Sequence, residues 1–276
     1  MSSTFLRGLQ LLEIVGTEGP IGVSELARRL GADKSGVSRM VAAAERDGWL
    51  VRSEEGVRLG ARLPVLGYDT PMAVTMREVR PLLDAAAGIT GMLAQACGLI
   101  GGQVVPVLSS GQLGVQLPSA LALPLPIWGT ASGRAIAAGL GPDELGRLLP
   151  SEPFPEPLST MSARPAPDAY PKPSPPDAEG WAEPGRRITD RAELDAAIAE
   201  VRRTGTSRER GEVHPSLGCI AVAWPSAPVP AAIGLVGPVA EIVASARLID
   251  ALLAAVVEPG ADRGRIVGVA AALLGD

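Results

Sequence analysis

The stretch from Gly22 to Gly60, GVSELARRLGADKSGVSRMVAAAERDGWLVRSEEGVRLG, constrains the fold more than any other part of the chain. Ser24 stands where a helix N-cap belongs, with Glu25 behind it and Leu26 and Leu30 one turn apart. Gly31 breaks that helix, and Asp33 caps a second one whose apolar face is Val37, Met40, Val41 and Ala44. Past Gly48, Trp49-Leu50-Val51 reads as a strand, Ser53-Glu54-Glu55-Gly56 as a polar turn and Val57-Arg58-Leu59 as the returning strand. Two short helices, a tight turn and a small hairpin make a winged helix-turn-helix. That arrangement leaves the outer face of the second helix open to a DNA major groove.

The pattern changes on either side of this stretch. Thr4 to Val15 reads as a first helix, with Phe5, Leu9, Leu12 and Val15 at three- and four-residue spacing. Ile21 and Val23 follow the turn at Gly16 to Pro20 as a short segment that covers the wing. A new helix starts near Pro71, with the apolar stripe Val79, Leu82, Leu83, Ala86 and Leu93, and reads as a connector. Beyond it, residues 99–108 and 115–123 are strand-like, 129–140 is a helix of small residues, and Pro142 with Asp143 and Glu144 opens another. A helix carrying Leu194, Ile198 and Val201 ends before Gly205, residues 219–224 and 231–236 are apolar strands, and 239–257 and 263–274 are closing helices. This order implies an α+β domain on an antiparallel sheet. The expected layout is a winged helix-turn-helix over 1–66, a connector helix over 67–94 and a second domain over 95–276. Within the last, residues 150–185 hold 11 of the chain's 26 prolines and few aliphatic residues, and are expected to form a flexible insertion.

Composition removes several classes. A chain of 276 residues with 46% hydrophobic content can build two domains with sizeable cores. No apolar run is long and pure enough to span a membrane, and Glu13 interrupts the apolar start with no cleavage site after it, so no signal peptide is expected. With Cys97, Cys219 and the single histidine His214, neither a disulfide framework nor a structural zinc is expected, no cofactor is called for, and the expected compartment is a reducing cytoplasm. The net charge of −5 argues against a basic nucleic-acid coat. Residues 1–70 nevertheless balance nine basic against nine acidic side chains, and Lys34, Arg39 and Arg58 fall where phosphates would lie.

Three blocks resemble the IclR family of bacterial transcriptional regulators. They are SELARRLGADKSGVSRMVAAAERDGWLVR with its wing, LPLPIWGTASGRAIAAGL, and RITD followed by LDAAIAEVRRTG, ERGEVHPSLGCIAVAW and AAIGLVGP. The resemblance covers most of the chain outside the insertion. It implies a C-terminal GAF-like domain that binds a small effector. It also implies a homodimer or homotetramer acting on a pseudo-palindromic double-stranded DNA operator.

Lys34, Ser35, Gly36, Ser38 and Arg39 fill the first two turns of the second helix, away from Val37, Met40 and Val41. A helix N-terminus offers N–H groups to phosphate, and an arginine beside it can pair bidentately with guanine. Lys34 and Ser35 are thus placed for phosphate or base-edge contacts, Ser38 and Arg39 for base reading, and Arg58 for the backbone or minor groove. The effector set is carried by the resemblance alone: Trp128, Thr130, Ala131, Ser132 and Gly133 at the pocket helix, Glu209 and Glu212 in a loop, Cys219 on a strand, and Gly234 and Val236 on the next. Members that bind glyoxylate or pyruvate have serines where Gly234 and Val236 stand, and often a histidine where Trp128 stands. The replacements imply a more apolar, roomier pocket and a larger or partly aromatic ligand.

Other readings stay open. Cys219 and Trp128 also suit core packing, Glu212 also suits local pairing with Arg208 or Arg210, and the second-helix charges also suit a solvated face. A second domain that only oligomerises is an alternative function. A small hydrolase using Ser132 and His214 is another, although no nucleophile elbow, phosphate loop or paired carboxylates accompany them.

Overall fold

The computed structural model describes residues 4–112, 125–155, 181 and 185–275. The chain divides into two compact units, Met1–Ala73 and Val74–Asp276. In the first, helices Thr4–Glu18 (α1), Val23–Arg29 (α2) and Lys34–Arg46 (α3) precede an antiparallel hairpin of Leu50–Ser53 (β1) and Gly56–Leu59 (β2), and the short helix Arg62–Gly67 (α4) follows. Leu11, Val15, Leu26, Val37, Val41, Leu50 and Val57 form its core. Ile21 bridges to Val57, so the segment before α2 covers the wing as expected.

Two local expectations are corrected here. Ser24 is not the N-cap of α2: Gly22 holds that position with extended backbone, no side chain caps the helix, and Ser24 already lies in its first turn. In α1, Leu11 and Val15 turn inward while Phe5 and Leu9 stay exposed. Of the expected stripe, Val15 is buried and Leu12 packs against the core, whereas Leu11 takes the place expected of Leu9.

The second unit takes in most of helix Pro71–Thr90 (α5), then strands Leu93–Ile100 (β3) and Gln103–Ser110 (β4) and helices Ala131–Ala138 (α6) and Pro142–Leu148 (α7). Next come Arg191–Thr204 (α8), the strands Ser207–Arg210 (β5), Leu217–Ala223 (β6) and Ala231–Pro238 (β7), and the helices Val239–Ala244 (α9), Ala246–Val257 (α10) and Arg263–Leu274 (α11). The five strands form one sheet in the order β4-β3-β7-β6-β5, with every neighbouring pair antiparallel. Strand alternation sorts the side chains between two cores. Ala96, Ile220, Ile233 and Leu235 pack with α5, α10 and α11, whereas Cys97, Cys219, Ala232 and Val236 pack with α6 and α8. The sheet is thus a middle layer between helices, and that layering creates the interior site described below.

The strand expected over 99–108 is instead two strands, because Gly101 and Gly102 take φ of 59° and 81° and turn the chain between β3 and β4. The expected helix at 239–257 is broken at Ser245 into α9 and α10. Glu209 lies on β5, not in a loop; SRER carries no apolar alternation to reveal a strand. The strand expected at 115–123 lies outside the described residues, as does most of the proline-rich stretch. Among the described residues no helix is long and apolar enough to cross a membrane.

Candidate functional site

Asp33 starts α3. Its carboxylate accepts the Ser35 hydroxyl at 2.6 Å and the Gly36 N–H at 2.7 Å, and these bonds hold it below the usual carboxylate range. A Cβ on residue 36 would stand 2.8 Å from that carboxylate, so glycine here serves the cap. Val37 and Val41 anchor the helix in the core, which turns Lys34, Ser35 and Arg39 outward and leaves Ser38 half-buried. The Lys34 and Arg39 side chains make no hydrogen bond or ion pair with a described residue, although the Arg39 charge helps to hold Asp33 down. On the wing, exposed Arg58 pairs with Glu55; on α2, Arg28 pairs with Glu25, and Arg29 with Glu18 at 2.9 Å and Glu25 at 3.0 Å. Such exposed pairs contribute little and leave the guanidinium heads solvated.

In the second unit, the α6-facing side of the sheet encloses a cavity of about 40 Å³. Gln95 and Cys97 on β3, Glu209 on β5 and Cys219 on β6 meet Thr130 and Ser132 at the start of α6. The Thr130 hydroxyl accepts the Gly133 N–H at 2.8 Å and caps the helix. Burial pushes the Cys97 thiol up to about 11 against the pull of the Ser132 hydroxyl, and burial raises Cys219 as well, so both remain thiols at neutral pH.

Charge is buried beside this cavity. Burial first, and the Glu212 carboxylate second, push Glu209 up to about 7, while the Val213 N–H, donating to it at 3.0 Å, pulls the other way. Arg134, 3% exposed, donates to the two Glu212 oxygens at 2.6 and 3.1 Å and to the Arg208 carbonyl at 2.7 Å. The planar fork matches the carboxylate, which lets both charges persist out of water. Among the described residues no group of three His, Cys, Asp or Glu could hold a metal ion.

The family model for the IclR helix-turn-helix domain matches residues 4–54, from α1 to the turn of the wing. The chain carries an IclR helix-turn-helix domain. Over 169 residues, 58% of this chain, it is 28% identical to the HTH-type transcriptional regulator Rv1719 of Mycobacterium tuberculosis, a match that spans 63% of that protein. An IclR homolog complexed with 4-hydroxybenzoate from Microbacterium hydrocarbonoxydans is 23% identical, with a TM-score of 0.66 over 99% of this chain and 100% of the other. The IclR of Thermotoga maritima is 17% identical, with a TM-score of 0.59 over 98% of each chain. The described residues therefore share the fold of solved IclR proteins, and both the α+β reading and the resemblance are borne out.

In the IclR domain, Lys34, Ser35 and Arg39 share the exposed face of α3, whereas Gly36 belongs to its cap and Arg58 stands on the wing. Of the effector set, Thr130, Ser132, Glu209, Cys219 and Val236 converge on the interior cavity. Ala131 and Gly133 sit behind them; a Cβ on residue 133 would lie 2.2 Å from the Ile127 carbonyl oxygen. Trp128 packs against Phe154 with ring centres 5.2 Å apart and donates to the Pro155 carbonyl at 3.4 Å, which is core packing. Glu212 pairs with Arg134, not with Arg208 or Arg210.

The expectation of a roomier pocket is also corrected. A Cβ on Gly234 would stand 3.2 Å from both the Ala221 Cβ and the Cys219 sulfur, so the small residue lets strands approach instead of opening space. Sequence reasoning missed Gln95, Cys97 and Arg134. The period-2 partner of Gln95 could have flagged Cys97, but nothing local marks Arg134, which meets Glu212 across 78 residues.

Proposed function

We propose that this protein is a ligand-responsive transcriptional regulator of the cytoplasm. Its IclR domain binds a pseudo-palindromic operator as a dimer or tetramer, and its GAF-like second domain takes a small-molecule effector in the interior cavity. The observation that carries the DNA half is α3: its apolar side is locked into the core by Val37 and Val41 while Lys34 and Arg39 stand outward. Exposed Phe5, Leu6 and Leu9 on α1 support self-association. Footprinting of the intergenic DNA beside its gene tests the reading, with Arg39→Ala as the paired variant. Protection by the wild type that the variant loses is the expected result.

One observation favours a second reading, in which the second domain only oligomerises. The interior cavity, at about 40 Å³, is far below the roughly 300 Å³ of an ordinary small-molecule site. A thermal-shift panel separates the two, starting with 4-hydroxybenzoate because an IclR homolog of this fold holds it. Stabilisation lost in Thr130→Val supports the cavity. A flat response across the panel supports the oligomerisation reading.

A further inference from the structure

A second concavity in the same unit, of about 330 Å³, plays no part in the function proposed above. It follows α8 along its length. Arg186 and Glu193 lie by the start of the helix, Ala197 and Val201 by its middle, and Thr204 and Ser207 by its end. Its volume falls within the range of small-molecule sites, which the interior cavity does not reach.

Two features inside the cleft point to a ligand. The Ser207 hydroxyl, on a residue 2% exposed that lines the cleft, has no hydrogen-bond partner among the described residues. Buried hydroxyls are otherwise almost always satisfied. At the other end, the Arg186 side chain is 62% exposed and, among the described residues, pairs with Glu193 alone, at 3.1 Å. Between them Ala197, too short to fill the space, leaves an apolar floor beside Ile188 and Val201.

We propose that this cleft is a binding site for a small organic acid. The carboxylate or phosphate meets Arg186, the apolar body lies over Ala197, and a polar substituent completes the Ser207 hydroxyl. The Arg134–Glu212 pair lines the cleft and acts electrostatically on Glu209, which lines the interior cavity, and Ser207 stands two residues from Glu209 on the same strand. An occupant therefore touches the strand that carries Glu209 and the ion pair whose charges act on it.

Isothermal titration of the full chain with benzoate, phenyl phosphate and inorganic phosphate tests the site. Ala197→Phe fills the cleft from a half-exposed position, and Arg186→Ala removes the anion contact; melting curves establish that both variants fold. Saturable binding of benzoate or phenyl phosphate, weakened roughly tenfold or more by each variant, is expected. The preferred probe shows whether carboxylate or phosphate is the natural head group. The proposal is overturned by no saturable binding of either organic acid, by binding that Ala197→Phe leaves unchanged, or by inorganic phosphate binding as tightly as the acids. Operator binding measured without any acid tests the regulator reading separately.

Discussion

Glu209 and Arg210, neighbours on β5, store opposite kinds of electrostatic cost. Glu209 is raised from an ordinary 4.5 to about 7, chiefly by burial. Folding therefore favours its protonated form: the associated stability is fully present below pH 4.5 and is lost as pH rises through 7. Glu209→Gln keeps the shape without the titration. The variant should match the wild type in urea unfolding below pH 5 and exceed it by about 1–3 kcal/mol above pH 8; a gap that does not change with pH contradicts the assignment. Arg210 is 3% exposed, and its Nε and Nη1 have no partner among the described residues. A buried guanidinium with two nitrogens unpaired costs more than an apolar chain of similar length, so Arg210→Met should stabilise by about 1–3 kcal/mol. A lower melting temperature for this variant counts against that reading.

At the scale of elements, α3 depends on its first residue. Asp33→Ala removes acceptors for Gly36 and Ser35 and should lower stability by about 1 kcal/mol, read as a lower urea midpoint. This helix and the wing were legible because caps, glycine breaks and apolar periodicity all agree over Asp33 to Leu59. Strands β6 and β7 were legible for the same reason, as long apolar runs with a turn between them. Strand β5 was not: at the sheet edge, Ser207 and Glu209 line cavities, Arg208 pairs with Asp250 and Arg210 is a buried charge, so no hydrophobic alternation appears. Ser24 misled because residue type alone does not tell an N-cap from a first-turn position. The candidate cavity was only half legible. Thr130, Ser132, Glu209 and Cys219 came through resemblance, but Arg134, Cys97 and the crowding at Gly234 arise from contacts between elements distant in sequence.

At the scale of the whole molecule, the division of labour follows from where each core lies. The interior of the winged-helix unit seats α3, and that of the sheet unit forms two opposed cores, one of them beside buried charge. The central claim is that the IclR domain reads duplex DNA through α3, and Arg39 is its most exposed test. Fluorescence anisotropy with a duplex from the intergenic region beside the gene should show tight wild-type binding. Arg39→Ala should weaken it by about 1–3 kcal/mol and relax the preference for the specific site over scrambled DNA. Equal affinity and equal specificity in the variant, or no preference by the wild type for any intergenic sequence, would contradict the account.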